Sequence, residues 1–141
     1  MARSAEARWE GTLKEGTGNL KLGSGAYEGQ YSFSSRFEEG TGTNPEELLG
    51  AAHAGCYSMA LNAALERAEH QPEYVHTTAN VHMSRVDDAL TITKIDLVVE
   101  AKIPGIDEET FMEFANDAKE NCIISRVINV AEMTLDVTLV S

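Results

Sequence analysis

Residues 43 to 67 constrain the fold more than any other stretch of this chain. From Thr43 to Leu61 they read Thr-Asn-Pro-Glu-Glu-Leu-Leu-Gly-Ala-Ala-His-Ala-Gly-Cys-Tyr-Ser-Met-Ala-Leu, and charge returns only at Glu66, Arg67 and Glu69. The start of a helix is well marked. Thr43 or Asn44 can cap it, Pro45 suits its first position, and Glu46 and Glu47 suit the positive end of its dipole. Leu48, Ala52, Cys56, Ala60 and Ala63 recur at spacings of three and four, which predicts an apolar face carrying Cys56. A helix so poor in charge belongs at the centre of the fold. Gly50 and Gly55 each cost about 1 kcal/mol of helix propensity. A helix that accepts both is either packed very tightly or broken between them. His70-Gln71-Pro72 ends it.

Before this helix, Ala7 to Leu13, Gly18 to Leu22 and Gln30 to Ser34 read as strands, with glycines at the turns between them. After it, Tyr74 to Arg85 alternates Val75, Thr77, Ala79, Val81 and Met83 with polar residues, the pattern of a half-buried strand. Asp87-Asp88 is a turn, and Leu90 to Ile103 is a second strand. Its apolar phase switches between Ile92 and Ile95, which predicts a bulge. Asp107 caps a helix over Glu108 to Asn121, with Phe111, Phe114, Ala115 and Ala118 on its apolar face. Met133, Leu135, Val137 and Leu139 point inward from a last strand. The order predicts an α+β fold in which antiparallel sheet packs on a long central helix and a second helix.

Bulk properties set the outer bounds. A chain of 141 residues is expected to form a single domain over 1–141. A net charge of −12 argues against nucleic acid and against an anionic membrane surface. No apolar run approaches the roughly 18 residues of a spanning helix, and the polar N-terminus offers no signal peptide. The expected location is the cytoplasm, where a transient catalytic disulfide is in keeping and a structural one is not.

The two cysteines are Cys56 and Cys122. They form no C-x-x-C, the four histidines show no zinc spacing with them, and there is no P-loop or dinucleotide fingerprint. No metal and no cofactor is expected. His53 lies one helical turn before Cys56, which has the form of a Cys–His or metal pair. A mid-helix histidine carries no specific signal, and a surface or packed histidine is the reading preferred. His76 and His82 read as polar-face strand residues. Cys56 alone could be an inert core thiol.

The stretch Thr43 to Cys56 resembles the signature of the osmotically inducible protein C and organic hydroperoxide resistance family (OsmC/Ohr), its OsmC branch in particular. The resemblance extends to Ser35-Arg36-Phe37-Glu38, Ile92-Thr93-Lys94-Ile95, Ile103-Pro104-Gly105-Ile106 and Cys122-Ile123-Ile124-Ser125. It implies an intertwined homodimer with two sites at the subunit interface, and a two-cysteine thiol peroxidase acting on organic hydroperoxides. By position, Cys56 matches the peroxidatic cysteine, Cys122 the resolving cysteine, Arg36 the arginine that holds the thiolate, and Glu46 the acid that pairs with it. These residue types suit the chemistry. A free thiol titrates near 8.5, and a guanidinium beside it favours the thiolate. Attack on the O–O bond leaves an alcohol and a sulfenic acid, which a second thiol closes to a disulfide. A dithiol, of lipoyl type by the resemblance, then re-reduces it. Family members commonly carry proline after the resolving cysteine; here Ile123 stands there.

Glu46 and Cys56 are ten positions apart, about 15 Å along one straight helix. Either the helix breaks or bends around Gly50 to Gly55, or Arg36 comes from a neighbouring subunit. Tyr57, Met59, Phe111, Phe114 and Ile123 or Ile124 are candidates to line an apolar substrate pocket. Two other readings compete: a non-catalytic redox sensor or binding module using the same pair of thiols, and a purely structural protein with both thiols inert.

Overall fold

The computed structural model describes residues 1–128, 130 and 132–141. Two compact units divide between Leu48 and Leu49. The first holds a three-stranded antiparallel sheet, β1 (Ala5–Glu10), β2 (Thr17–Leu22) and β3 (Glu28–Tyr31), followed by a short helix, α1 (Phe33–Phe37). Gly11, at φ 95, ends β1 three residues before the expected Leu13. Gly18 stands opposite both Trp9 and Tyr31 in the register, and a Cβ on it would lie 2.3 Å from the Tyr31 ring and 2.8 Å from Trp9. Its missing side chain is what lets those rings meet, with centroids 5.4 Å apart.

The expected strand over Gln30 to Ser34 stops early. Ser32 and Ser35 form a reciprocal capping box, each hydroxyl accepting from the other's backbone N–H, and this turns the chain into α1. The signal was present as Ser-x-x-Ser, but alternation with Tyr31 and Phe33 masked it.

The helix α2 runs unbroken from Pro45 to Arg67, so the expected break around Gly50 to Gly55 is absent. Asn44 is the cap, accepting from Glu47 N–H at 2.8 Å. The two glycines have different reasons. A Cβ on Gly50 would stand 3.3 Å from the Ala79 carbonyl oxygen, so Gly50 marks a close helix–strand approach, whereas Gly55 is exposed and faces open space. The buried stripe is also not the expected one. Gly50, His53, Tyr57, Leu61 and Leu65 are buried, while Ala52 is exposed and Cys56 half-buried. With so many small residues, two helical stripes had similar apolar content, and packing chose the one with bulkier side chains. The helix closes in paired bonds from Glu69 N–H to Glu66 and from His70 N–H to Leu65, with Glu69 at φ 65.

In the second unit β4 (Tyr74–Val86) and β5 (Ala89–Lys102) form a long hairpin. Asp87 and Asp88 both take positive φ, the geometry of a tight hairpin turn. The expected bulge is present: His82 pairs with Lys94 and Met83 with Ile92, leaving Thr93 as the extra residue. The helix α3 spans Glu108–Asn121 behind the Asp107 cap, as expected, and is followed by a short α4 (Ile123–Val127). The last strand, β6 (Glu132–Val140), pairs with β5. The α+β class with two small sheets stands, with one refinement: β6 is parallel to β5. The helices α3 and α4 carry the chain back, as a parallel pair requires. Tyr57, Leu61 and Leu65 of α2 form the core with Ile95, Leu97 and Val99 of β5, together with Phe111.

Candidate functional site

In the first unit, Arg36 and Glu46 are brought into a bidentate ion pair. Arg36 Nη2 donates to Glu46 Oε1 at 2.6 Å, and Nε donates to Oε1 at 3.0 Å and Oε2 at 3.2 Å. Two local devices hold it. The Ser35 hydroxyl donates to the Thr43 carbonyl at 2.7 Å, and the Asn44 amide donates to the Ser35 carbonyl at 3.2 Å. These clamp α1 to the start of α2. The Glu46 side chain is 12 % exposed and that of Arg36 39 %, so the carboxylate is fixed and the guanidinium keeps an open side. That side borders an apolar cleft of about 240 Å³ lined by Trp9, Leu13, Tyr31, Phe33, Arg36 and Phe37. The Phe37 ring lies 5.1 Å from the guanidinium carbon.

In the second unit both cysteines are free thiols, Cys56 half-buried and Cys122 buried. Cys122 joins two helices, ending α3 and capping α4, and its Sγ accepts from the Ser125 backbone N–H at 3.3 Å. His53 is fully buried and its Nε2 lies 2.7 Å from Ser125 Oγ. Burial lowers the His53 pKa and favours the neutral ring. Tyr57 donates to the Ala115 carbonyl at 2.9 Å; its burial, with Cys122 nearby, pushes the phenol upward. Among the described residues no group of three or more His, Cys, Asp or Glu could hold a metal ion. Among them no helix is long and apolar enough to cross a membrane.

Comparison with known proteins decides the family. The family model described as OsmC-like protein matches residues 38–138. The chain belongs to the OsmC-like family. It is 46 % identical over 140 residues to the peroxiredoxin OsmC of Escherichia coli K12, covering 99 % of this chain and 97 % of that one. Its fold is similar to that of an OsmC-like protein from Vibrio cholerae, with TM-score 0.79 at 15 % identity, covering 98 % and 99 % of the two chains. It is also similar to the organic hydroperoxide resistance protein OhrB of Bacillus subtilis, with TM-score 0.71 at 21 % identity, covering 96 % and 98 %.

Among the residues singled out in this OsmC-like chain, Arg36 and Glu46 are joined directly, although their separation in sequence gave no sign of it. The residues expected to line the pocket fall in different environments. Tyr57 and Phe111 are fully buried core residues, Phe114 and Ile124 are half-buried against that core, and Met59 and Ile123 are exposed. An apolar cleft lies beside Arg36, among Trp9, Tyr31 and Phe33 of the expected strands and Phe37 of the Ser35–Glu38 match. Tyr31, Phe33 and Phe37 flanking Arg36 were the available signal. Ser125 was also missed as a functional candidate, because a serine within a mostly apolar segment carries no signal until its contacts are known. Ile123 occupies the first position of α4, where proline is favoured, and Cys122 before it has φ −62 and ψ 144, the conformation that precedes proline. In the OsmC-like chain the turn forms without the proline.

Proposed function

We propose that this chain is a cysteine-based peroxidase that reduces organic hydroperoxides to alcohols. The observation that carries the reading is the Arg36–Glu46 ion pair. The two residues that the family resemblance assigns to the thiolate are bound to each other, with the guanidinium open on one side and an apolar cleft beside it. A carboxylate that takes one edge of a guanidinium fixes the direction of the remaining N–H groups. Those groups can stabilise a thiolate and donate to a peroxide oxygen. The peroxiredoxin name of the Escherichia coli relative supports the reaction class. The apolar cleft favours an organic over an inorganic peroxide.

Cys56 is the nucleophile. Its thiolate attacks the distal peroxide oxygen, the O–O bond breaks, and the alkoxide leaves as alcohol on taking a proton. Cys56 becomes the sulfenic acid, and Cys122 condenses with it to a disulfide with loss of water. A lipoyl-type dithiol reduces the disulfide and no further cofactor is used. Glu46 and Cys56 are ten positions apart in α2, which along a straight helix is about 15 Å. This supports a homodimer in which Arg36 of a second copy serves Cys56. The work is placed in the cytoplasm, in peroxide and osmotic stress.

The test is steady-state turnover of cumene hydroperoxide with dihydrolipoamide, beside hydrogen peroxide. Fast organic turnover and slow hydrogen peroxide turnover are expected, both abolished in Cys56→Ser. One oxidation of Cys56 with no turnover on any dithiol would replace the enzyme with a redox sensor.

A further inference from the structure

Cys122 is not held by packing alone. Its Sγ donates to Ser125 Oγ at 3.1 Å, and Ser125 Oγ lies 2.7 Å from His53 Nε2. Three elements supply the three groups: α2 gives His53, α4 gives Ser125, and Cys122 joins α3 to α4. All three residues are buried. The Ser125 hydroxyl has one proton to give. Met133 Sδ, at 3.8 Å, is the weaker acceptor, and the imidazole nitrogen is the stronger.

The histidine is costly where it stands. Its Nδ1 is buried with no hydrogen-bond partner among the described residues. An unpaired buried polar atom is destabilising, and an apolar side chain of similar volume would avoid the loss. Packing therefore does not account for His53. The serine contact alone does not either, since that serine is itself buried and needs the histidine only because it is polar.

We propose that His53 and Ser125 form a proton relay that activates Cys122 for attack on the Cys56 sulfenic acid. At rest the chain reads S–H···O–H···N, from Cys122 through Ser125 to His53. During resolution the Cys122 proton passes to Ser125 and the Ser125 proton to His53 Nε2. The result is a thiolate that accepts from the Ser125 hydroxyl, with an imidazolium behind it. The Ser125 backbone N–H, already 3.3 Å from Sγ, adds a second donor to the thiolate. The sulfur then bonds to Cys56, the S–O bond of the sulfenic acid breaks, and the oxygen takes up a proton and leaves as water. The proton removed from Cys122 balances the one taken by that oxygen, so the step needs no further oxidant or reductant. Among the described residues no Lys or Arg side chain is hydrogen-bonded to Cys122. The relay thus supplies a counter-charge only while the thiolate exists. Ser125 touches the reacting sulfur; His53 acts through it as a positioning residue that also holds the proton.

The proposal rests on Cys122 being the resolving thiol, and the experiment separates the two. The intact reduced protein is mixed with cumene hydroperoxide and quenched at intervals with a dimedone-type trap. Mass spectrometry then follows formation of the Cys56 sulfenic acid and its decay to disulfide. In His53→Gln, which keeps an amide near Ser125 but cannot take the proton, decay is expected to slow on the order of 10²-fold. Formation should stay within about twofold, since general acid–base assistance acts only on the resolving step. Ser125→Ala should slow decay alike, and Ser125→Thr should restore it by returning the hydroxyl. Unchanged decay in both His53→Gln and Ser125→Ala overturns the relay. Formation and decay slowed alike in His53→Gln would show a packing role and also overturn it. If Cys122→Ser leaves decay unchanged, Cys122 is not the resolving thiol and the assignment beneath the relay fails.

Discussion

Arg36 Nη2 stands 2.6 Å from Glu46 Oε1 while Nε bonds both oxygens of the same carboxylate. The fork of a guanidinium matches a carboxylate edge in a way that a lysine ammonium cannot. Arg36→Lys keeps the charge and loses that geometry. Its rate of Cys56 oxidation by cumene hydroperoxide, followed by stopped flow, should fall on the order of 10²-fold, the scale for loss of one preorganised electrostatic donor. Glu46→Gln should lose nearly as much, because the arginine is then free to turn. A wild-type rate in Arg36→Lys would show that charge alone suffices and that the pair has no directing role.

Ile123 begins α4 behind a residue already in the conformation that proline demands. Ile123→Pro should therefore fold without strain. It should raise stability by about 0.4–1 kcal/mol through a less flexible unfolded chain. The urea midpoint measures this. A lower midpoint would mean that the Ile123 N–H is needed, or that its exposed side chain has a partner in the assembled protein.

Asp96 is bonded by Thr134, by His82 Nε2 at 2.6 Å and by Lys94 at 3.3 Å. The Thr134 bond, then that of His82, then Lys94, draws its carboxyl from 3.8 to about 2. The folded value lies below the unfolded one. Its stabilising contribution is therefore complete above 3.8 and is lost as pH falls from there through about 2. Urea midpoints of the wild type and Asp96→Asn should converge over that window and differ above it. Parallel curves from pH 2 to pH 6 would refute the coupling.

Local signals were strong wherever a single side chain dictates a backbone feature. Asp107 capping α3, the phase change that marks the β5 bulge, and the Asn44-Pro45 entry to α2 were all legible in the chain itself. The buried face of α2 was not. Leu48, Ala52 and Cys56 form as regular a stripe as Gly50, His53 and Tyr57, and only neighbours can choose between them. The Ser32–Ser35 capping box was similarly hidden under an alternating pattern.

The amino-acid sequence by itself determined the α+β class, the two long helices with their caps at Asn44 and Asp107, the turn at Asp87-Asp88 and, through the Thr43–Cys56 signature, the family, but not the short helices α1 and α4. These are short-range matters, settled by hydrogen bonds and torsions within a few residues. Tertiary structure alone decided that β6 lies parallel to β5 and that His53 reaches Ser125 beside Cys122. His53 and Ser125 are 72 positions apart, and such a contact exists only once burial has brought α2 and α4 to one core.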